Sequence, residues 1–315
     1  MTTARPLRPT DLVALAASRL QFNEAVTWDH LGRSREGSRL LWPAVESWAT
    51  LNARPHLWVC TRRGLLVGAA SARPRGGRLA WEIDRLALAS GADPDVAATL
   101  LNAAAADAMA ERVTRIFLRL RRERVEALGA RRAAFAPYLT ERLYALHGDL
   151  ISDGGDVALP WRRRQRIDGF PLFRLYNAVT PLSVRQHEAI SYAEWIAAQE
   201  RRGRCKLDHV LLQNGEAQAW VRAVTDGAVG RIDLVLGPEV ADVADALLAQ
   251  AVRALGARRP IYALVPAYAE ATAALLERHG FVVEETYTSL VRRLVVLDQL
   301  AEPARSRARH PLVPA

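Results

Sequence analysis

The amino-acid sequence predicts a mixed α/β protein built from two similar halves. A short apolar strand pattern, a turn and the start of an apolar helix follow one another twice, and a β-hairpin signal precedes each occurrence. At 315 residues, of which 50% are hydrophobic, the chain is long enough for two domains of ordinary size. The strand and helix pairs are residues 86–89 with 95–101 and residues 232–236 with 242–248.

The first half alternates strand and helix signals. Thr10 or Asp11 is placed to cap the first helix, and Asp93 followed by Pro94 marks the start of the longest one. The Arg-Arg-Gly turn at 62–64 joins a predicted hairpin. The expected strands are 7–9, 56–61, 65–72, 81–89 and 114–120, and the expected helices are 12–20, 38–51, 94–111 and a short one ending near Gly129, before a closing segment at 133–146.

The second half repeats this order. Asp168 can cap its first helix, Asn214 and Gly215 form a strong two-residue hairpin signal, and Gly256 and Gly280 are placed to end helices. The helix after residue 240 carries an apolar stripe at helical spacing. The expected strands are 161–164, 208–212, 217–224, 231–236, 261–265, 281–283 and 289–297, and the expected helices run through 172–176, 192–200, 240–255 and 268–279.

Residues 148–158 are the expected linker. Gly148, Gly154 and Gly155 favour turns there, and Pro160 follows. The sequence therefore predicts an N-terminal domain at 1–147 and a C-terminal domain at 159–298, packed together through apolar faces. Residues 299–315 hold a basic run among proline and alanine and are expected to be a disordered basic tail.

Composition limits the classes of partner. The formal net charge of +9 raises the question of nucleic-acid binding. However, the arginines are scattered through both halves and Lys206 is the single lysine, so nucleic acid is not the favoured partner. Cys60 and Cys205 lie in different halves, and no apolar run could cross a bilayer or form a signal peptide. A cytoplasmic protein without a membrane partner is expected; the histidines show no metal-ligand spacing, and homo-oligomer formation is left open.

Two stretches carry a family resemblance: residues 273–281, Ala-Ala-Leu-Leu-Glu-Arg-His-Gly-Phe, and residues 81–88, Trp-Glu-Ile-Asp-Arg-Leu-Ala-Leu. The first resembles the late helix, glycine cap and aromatic strand start of the GCN5-related N-acetyltransferase (GNAT) family, and the second resembles its fourth strand. The order of elements is similar to that fold met twice, over roughly 5–147 and 157–298. The resemblance implies two tandem GNAT-like acyl-CoA N-acyltransferase domains, with acetyl-CoA as cosubstrate between the fourth and fifth strands.

The resemblance also implies which residues would contact acetyl-CoA. Main-chain groups of the fourth strand would meet the pantetheine arm, and N–H groups at the following helix start would hold the pyrophosphate. The family's small residue of the pyrophosphate signature corresponds to Ala97 in the first half and Ala244 in the second. The expected cofactor-binding residues are Leu86, Leu88, Gly91, Ala92, Ala97, Ala98, Leu234, Leu236 and Ala244.

Both pyrophosphate positions depart from the family pattern, because Asp95 and Asp242 stand where a glycine is usual. A carboxylate there complements the helix dipole but repels a phosphate by on the order of 1–4 kcal/mol. Both junctions could therefore be merely capped helix starts. Of the two, the first is the expected acetyl-CoA site, because its loop holds Gly91 and Ala92 whereas the second has Pro238 and additional carboxylates.

The leading functional expectation is an acyl-CoA-dependent N-acyltransferase that moves an acetyl group to a small-molecule or peptide amine by direct attack. Glu82 is the candidate catalytic residue, as a general base acting through water, and the alternative is a surface charge. The family's tyrosine acid is missing: Leu276 stands at its place in the second half, and Val125 is the nearest match in the first. The alternative function is a non-catalytic GNAT-like binding or regulatory module that has lost the cofactor.

Overall fold

The computed structural model describes residues 2–17, 21–22, 56–75, 79–121, 125–149, 161–189, 191–199, 203–226 and 229–295. The predicted helix at 38–51, residues 150–158 of the predicted linker and the predicted tail at 299–315 lie outside these ranges.

The described residues form one mixed sheet with helices on its faces. Its strands are β1 Thr2–Pro6, β2 Gln21–Phe22, β3 His56–Arg62, β4 Leu65–Pro74, β5 Ala80–Leu88, β6 Arg115–Arg121, β7 Ala136–Leu146, β8 Trp161–Arg163, β9 Arg204–Gln213, β10 Glu216–Asp226, β11 Val229–Leu236, β12 Ile261–Pro266 and β13 Val282–Arg293. The helices are α1 Asp11–Ala17, α2 Pro94–Ala110, α3 Val125–Arg132, α4 Gly169–Val179, α5 Leu182–Glu188, α6 Tyr192–Ala198, α7 Ala241–Leu255 and α8 Glu270–Arg278, with a 3₁₀ turn at Arg166–Asp168.

Local signals placed most of these elements correctly. Asp93 caps α2 through its side chain and Pro94 occupies the first helical position, as predicted. Both hairpin turns place two consecutive residues in the left-handed region, at φ of +52° and +79° in each turn. The sequence did not predict α5, a short helix that starts after Pro181 and has no side-chain cap.

The two halves exchange their last strands. The sheet order is β1-β3-β4-β5-β6-β13-β7-β12-β11-β10-β9-β8, and β2 pairs separately with β5. Thus β13, from the second half, lies between β6 and β7 of the first half, and β7 pairs on its other edge with β12. The predicted packing of two domains through apolar faces is therefore wrong, because each half-sheet is completed by a strand of the other.

β13 is one strand where two were predicted. It pairs with β7 from Val282 opposite Ala145 to Val291 opposite Ala136, with register shifts after Val283 and after Ser289. The segment Glu-Glu-Thr-Tyr-Thr at 284–288 is polar and lacks the strand pattern. It is extended because neighbouring strands on both edges satisfy its main-chain N–H and C=O groups.

Each half opens with the same arginine–aspartate pair. Both Nη atoms of Arg5 donate to Asp11, at 2.5 and 2.7 Å, and both Nη atoms of Arg162 donate to Asp168, at 2.8 and 2.6 Å. In each case the main-chain N–H three residues before the aspartate donates to the same carboxylate. The carboxylate of Asp168 therefore makes no capping bond to α4, contrary to the prediction.

A second repeat ends α3 and α8. The N–H of Phe135 donates to the carbonyl of Ala130, and the N–H of Phe281 donates to that of Leu276, both at 3.0 Å. The residue before each phenylalanine has a positive φ, of +58° and +88°. This matched geometry aligns Leu276 with Ala130 and corrects the sequence alignment, which had paired Leu276 with Val125.

We expect the halves to stay associated after the chain between them is cut, because three strand pairings join them. A protease recognition sequence inserted between Asp149 and Trp161 allows one specific cut. Gel filtration at micromolar concentration should give a single peak that contains both fragments, and separation should need denaturant. Two separate native peaks, compared with the uncut protein, would contradict the exchanged-strand arrangement.

The arginine–aspartate pairs predict a loss of stability in acid. The hydrogen bonds from Arg5 hold the pKa of Asp11 below its ordinary value. Burial opposes this effect at Asp168, yet the bonds from Arg162 and the main chain still lower its pKa. A carboxylate with a depressed pKa stabilises the fold above its unfolded-state pKa and loses that contribution as pH falls through the folded-state value.

Urea unfolding should therefore show stability falling below about pH 4. The double variant Asp11→Asn with Asp168→Asn should be less stable at neutral pH. Its free energy of unfolding should change less than that of the wild type between about pH 4 and pH 2. Glu216→Gln, which removes an exposed carboxylate, should keep the wild-type acid slope. An unchanged slope in the double variant would show that these pairs do not set the acid response.

Candidate functional site

The two parallel strand pairs part before the carboxyl ends of β5 and β11. β5 and β6 are paired only from Ala80 to Ile83, and β11 and β12 only at Gly230 and Arg231. On their other edges, β5 and β11 stay bonded to β4 and β10 as far as Leu88 and Leu236. Each half therefore has a gap between parallel strands that leads to the start of a helix, α2 or α7.

The gap in the first half is occupied by the chain itself. β2 pairs antiparallel with the end of β5, so that Gln21 lies opposite Leu88 and Phe22 opposite Ala87. The main-chain edge that was expected to meet a pantetheine arm is thus already part of a strand pairing.

The start of α2 is also closed. Pro94 has no N–H, and the N–H groups of Asp95 and Val96 donate to the carboxylate and the carbonyl of Asp93, each at 2.9 Å. Arg132, from α3, forms an ion pair with the Asp95 carboxylate. The donors that could hold a phosphate are therefore satisfied by neighbouring groups, as in an ordinary capped helix.

Helix α3 packs directly on this helix start. A Cβ on Gly129 would lie 2.5 Å from the Cβ of Ala97 and 2.6 Å from the carbonyl oxygen of Pro94. Glycine is therefore required for the close approach of the two helices. It lies inside α3, which ends at Arg132, although the sequence predicted the end of this helix near Gly129.

The gap in the second half has a different lining. Leu234 and Leu236 are half-buried against the apolar core beneath α7, and Ala244 is buried in that core. Helix α7 begins after Val240, whose side chain cannot accept a hydrogen bond, so its N-cap residue provides no side-chain cap. The N–H of Val243 donates to the carbonyl of Val240 at 3.1 Å, as the corresponding N–H does in α2, but Val240 has no counterpart of the Asp93 carboxylate.

Asp245 has two hydrogen-bond partners that the sequence alone did not show, and one of them, Arg278, is a cation. Its Oδ1 lies 2.6 Å from Nε2 of the buried His279 and 3.1 Å from Nη2 of Arg278. Hydrogen bonds from His279 and then Arg278 lower the pKa of Asp245 despite some burial. The sequence interpretation of Asp245 as an additional repelling charge is therefore weakened.

The nine predicted cofactor residues fall into two separate groups. Leu86, Leu88, Ala97 and Ala98 are buried in the first core, and Ala92 packs at its edge. Gly91 has φ +72°, and a Cβ there would meet no atom within 4 Å. The second group, Leu234, Leu236 and Ala244, surrounds the gap between β11 and β12. The assignment of both groups to cofactor binding stays a prediction.

Glu82 is buried, so its interpretation as a surface charge is wrong. It is 5% exposed and its Oε2 lies 3.0 Å from Nη2 of Arg73, its neighbour across the β4–β5 pairing. The carboxylate that was predicted as a general base is thus part of an ion pair. Its role as a base stays a prediction.

Glu82 belongs to a larger charged cluster at the middle of the sheet, which we call the central network. Arg119 Nε donates to Glu141 at 2.8 Å, and the hydroxyl of Ser289 donates to the same carboxylate. The positive and negative charges balance, three of each. The members are Arg73, Arg75, Arg119, Glu82, Glu141 and Glu188.

Glu188 brings the second half into the central network. It lies at the end of α5, 3.5 Å from Nη2 of Arg75, and accepts a hydrogen bond from the hydroxyl of Tyr138 at 3.0 Å. Burial and the charge of Glu188 raise the pKa of Tyr138 well above its ordinary value, so the hydroxyl keeps its proton and donates. Arg115 extends the contact through the carbonyl of His187 at 3.0 Å and an ion pair with Glu194.

The position of the family's tyrosine acid is apolar in both halves. Leu276 and its structural counterpart Ala130 are fully buried and carry no ionisable group. Tyrosines lie elsewhere on the second half. The Tyr268 hydroxyl is 3.4 Å from that of Thr180, and burial raises the pKa of Tyr268 to about 12. The Tyr176 hydroxyl is buried without a hydrogen-bond partner in the described structure.

Two further kinds of site were sought within the described ranges. No three His, Cys, Asp or Glu side chains there form a group that could hold a metal ion. Among the same residues, no helix has both the length and the apolar character needed to cross a membrane.

Structural comparisons identify the fold. A GCN5-related N-acetyltransferase from Sphaerobacter thermophilus matches 93% of this chain and 95% of its own, at 15% identity and a TM-score of 0.57. A tandem GNAT protein from the clavulanic acid biosynthesis pathway matches 93% and 98%, at 14% identity and a TM-score of 0.51. A putative acetyltransferase from Pyrococcus horikoshii matches 94% and 90%, at 11% identity and a TM-score of 0.51.

No protein-family model and no curated protein sequence matches the chain. The described chain nevertheless has the GNAT fold, in the arrangement of proteins with two such halves. The fold predicted from the sequence resemblance is confirmed.

The central network predicts a specific loss of stability. Glu141→Gln leaves the guanidinium of Arg119 without its charged partner, at a site where Glu141 is 6% exposed. Breaking a buried ion pair should lower the free energy of unfolding by about 3 kcal/mol, measured in urea. Glu216→Gln removes an exposed partner of Arg174 and should cost less than about 0.5 kcal/mol. Equal losses in the two variants would contradict a stabilising role for the network.

Proposed function

We propose that this protein is an acyl-CoA-dependent N-acyltransferase whose acyl-CoA site lies in the second half, between β11 and β12 at the start of α7. The supporting observation is that residues 232–236 of β11 pair with β10 but not with β12 and lead to a helix whose N-cap residue, Val240, provides no side-chain cap. A main-chain edge beside a helix N-terminus suits an amide-containing arm that ends in a pyrophosphate.

This choice of half differs from the expectation drawn from the sequence. The first gap is filled by β2, and the first helix start is closed by Asp93, Arg132 and the packing of α3. The first half would then serve as a structural copy that contributes β7 and much of the central network. Glu82 would act in that network and not at the acyl-CoA site, since its strand β5 is far from β11 in the sheet order.

Residues of the second half would have different roles in binding acyl-CoA. Main-chain groups of Leu234 and Leu236 would bond the pantetheine arm, and N–H groups at the start of α7 would meet the pyrophosphate. The acidic residue type at position 242 would oppose phosphate binding, while Arg278 on α8, which binds Asp245 of α7, would supply a nearby positive charge. Acetyl-CoA would be the acyl donor.

Transfer would occur by attack of a neutral amine on the thioester carbonyl, with the CoA thiolate leaving and no covalent enzyme intermediate. Leu276 cannot protonate that thiolate, so the proton would come from the amine itself or from water. The acceptor would approach from the face of β11 opposite α7.

The first test is a calorimetric titration of acetyl-CoA into the whole protein. One site is expected, and Asp242→Asn should lower its Kd about five-fold, because removing a like charge near a phosphate is worth about 1 kcal/mol. The matched variant Asp95→Asn, at the corresponding position of α2, should leave Kd unchanged. Acetyl-pantetheine, which lacks the pyrophosphate, should bind more weakly and should not respond to either variant.

The possible failures have separate meanings. A response to Asp95→Asn alone would place the site in the first half. No detectable binding of acetyl-CoA up to about millimolar concentration would contradict the enzyme proposal and leave the non-catalytic module as the function.

A further inference from the structure

The second half holds a cavity of ≈ 730 Å³ on the face of the sheet opposite α7. It lies between α6, the segment around the 3₁₀ turn, and strands β9 and β10. Its polar lining includes Arg164, Arg166, Gln199, Asp208 and Arg222. Its volume is within the range of sites that hold small molecules.

The cavity wall carries an excess of positive charge. Arg222, which is 8% exposed, donates to Asp233 through Nε at 2.8 Å and Nη2 at 2.6 Å. Arg231 lies 3.2 Å from the same carboxylate, so one aspartate serves two guanidinium groups. Arg164 and Arg166 add two more positive charges. A concave site with such an excess concentrates anions.

Asp208 does not cancel this excess. Its carboxylate accepts the Nε1–H of Trp220 at 2.8 Å. The guanidinium of Arg164 lies 5.3 Å from the same indole ring, and that of Arg222 lies 5.5 Å from it. The aromatic ring holds both cations in place beside the cavity, and the net charge of the four arginines and two aspartates is positive.

Gln199 offers an unused donor to the cavity. Its Oε1 accepts a hydrogen bond from Nη1 of Arg164 at 3.2 Å, which fixes the orientation of the amide. Its Nε2 is buried and has no hydrogen-bond partner in the described structure. A buried donor without an acceptor is unfavourable, so an oxygen atom of a ligand would be favoured there.

The strand β11 connects this cavity to the proposed acyl-CoA site. Side chains alternate along it: Ile232 and Leu234 face the core beneath α7, whereas Asp233 lies on the other face and binds Arg222 of the cavity wall. Asp233 is two residues past Arg231, the last residue paired with β12. The cavity therefore lies on the face of the sheet opposite α7, beside β10, which is the neighbour of the stretch of β11 that borders the gap.

From these observations we infer that the cavity binds the anionic group of the acceptor, so that the substrate is a small amine that also carries a carboxylate or phosphate. The identification of the bound molecule as the acyl acceptor rests on the proposed acyltransferase function. Recognition of the anion itself rests on the arginines and Gln199 alone.

Two matched ligand pairs test the charge requirement without acetyl-CoA. L-phenylalanine is compared with L-phenylalaninamide, and O-phosphoethanolamine with ethanolamine, by calorimetry and thermal shift. The first pair probes a carboxylate and the second a phosphate. At least one of the two anionic ligands should bind saturably. The matched ligand that lacks the anionic group should bind at least about ten-fold more weakly, a difference of about 1.4 kcal/mol.

Variants then locate the binding. Gln199→Leu removes the buried donor, and Arg166→Gln removes one positive charge from the exposed rim of the cavity. Each should weaken anion binding several-fold while the melting temperature without ligand stays close to wild type. Arg174→Gln, which makes the same charge change on α4 outside the cavity lining, should leave anion binding unchanged.

The contrary outcomes are distinct. Equal binding of charged and uncharged members, equal weakening by Arg174→Gln and Arg166→Gln, or no saturable binding of either anion up to about 10 mM would each overturn the inference. Anion binding in a protein that does not bind acetyl-CoA would support recognition by the cavity but overturn the acceptor role, and the proposed function would fail separately.

Discussion

β7 and β13 run antiparallel through the middle of the sheet, and each is bonded on its other edge to a strand of the opposite half. Neither half-sheet is complete without the other's last strand. Main-chain hydrogen bonds therefore join the two halves directly, and separation would expose strand edges on both sides. The continuous sheet, the positions of both strand gaps and the contact of α5 with the first half all depend on this pairing.

The central network lies on that shared part of the sheet. Glu141 on β7 accepts from Arg119 on β6 and from Ser289 on β13, so it connects three adjacent strands. Glu188 connects the same region to α5. Because buried charges are tolerated only when they are paired, the network favours one relative position of the halves over alternatives that would leave a charge without a partner.

The two halves share one architecture but differ at the strand gap and at the start of the helix that follows it. In the first, a proline, a capping aspartate, an arginine and an additional strand close the gap and the helix start. In the second, the strand edge and a helix start without a side-chain cap from its N-cap residue remain, and a cationic cavity lies on the opposite face. This asymmetry is consistent with one half acting as a support and the other as the binding half.

Much of the fold could be predicted from the sequence, because hairpin turns, helix caps and apolar stripes depend on residues that are close along the chain. Asp93 with Pro94, the turn at Asn214, and the helix end at Gly280 are of this kind. The architecture followed from the order and spacing of the elements, which resemble one family and match it best locally at residues 273–281. The arginine–aspartate repeat is also present in the sequence, as Arg5 with Asp11 and Arg162 with Asp168, at the same six-residue spacing in both halves.

The site could be predicted only in part, because its state depends on groups that are distant along the chain. Whether a helix start can receive a phosphate depends on the neighbour that packs on it, such as Gly129 and Arg132 against α2, or Arg278 beside Asp245. Glu82 could not be separated from a surface charge until Arg73 was placed across from it. The sequence by itself determined the order of elements and the two helix junctions, since these follow from local propensity. Only the tertiary structure decided the strand exchange, the burial of the central network and which gap is closed, since those follow from contacts between the halves.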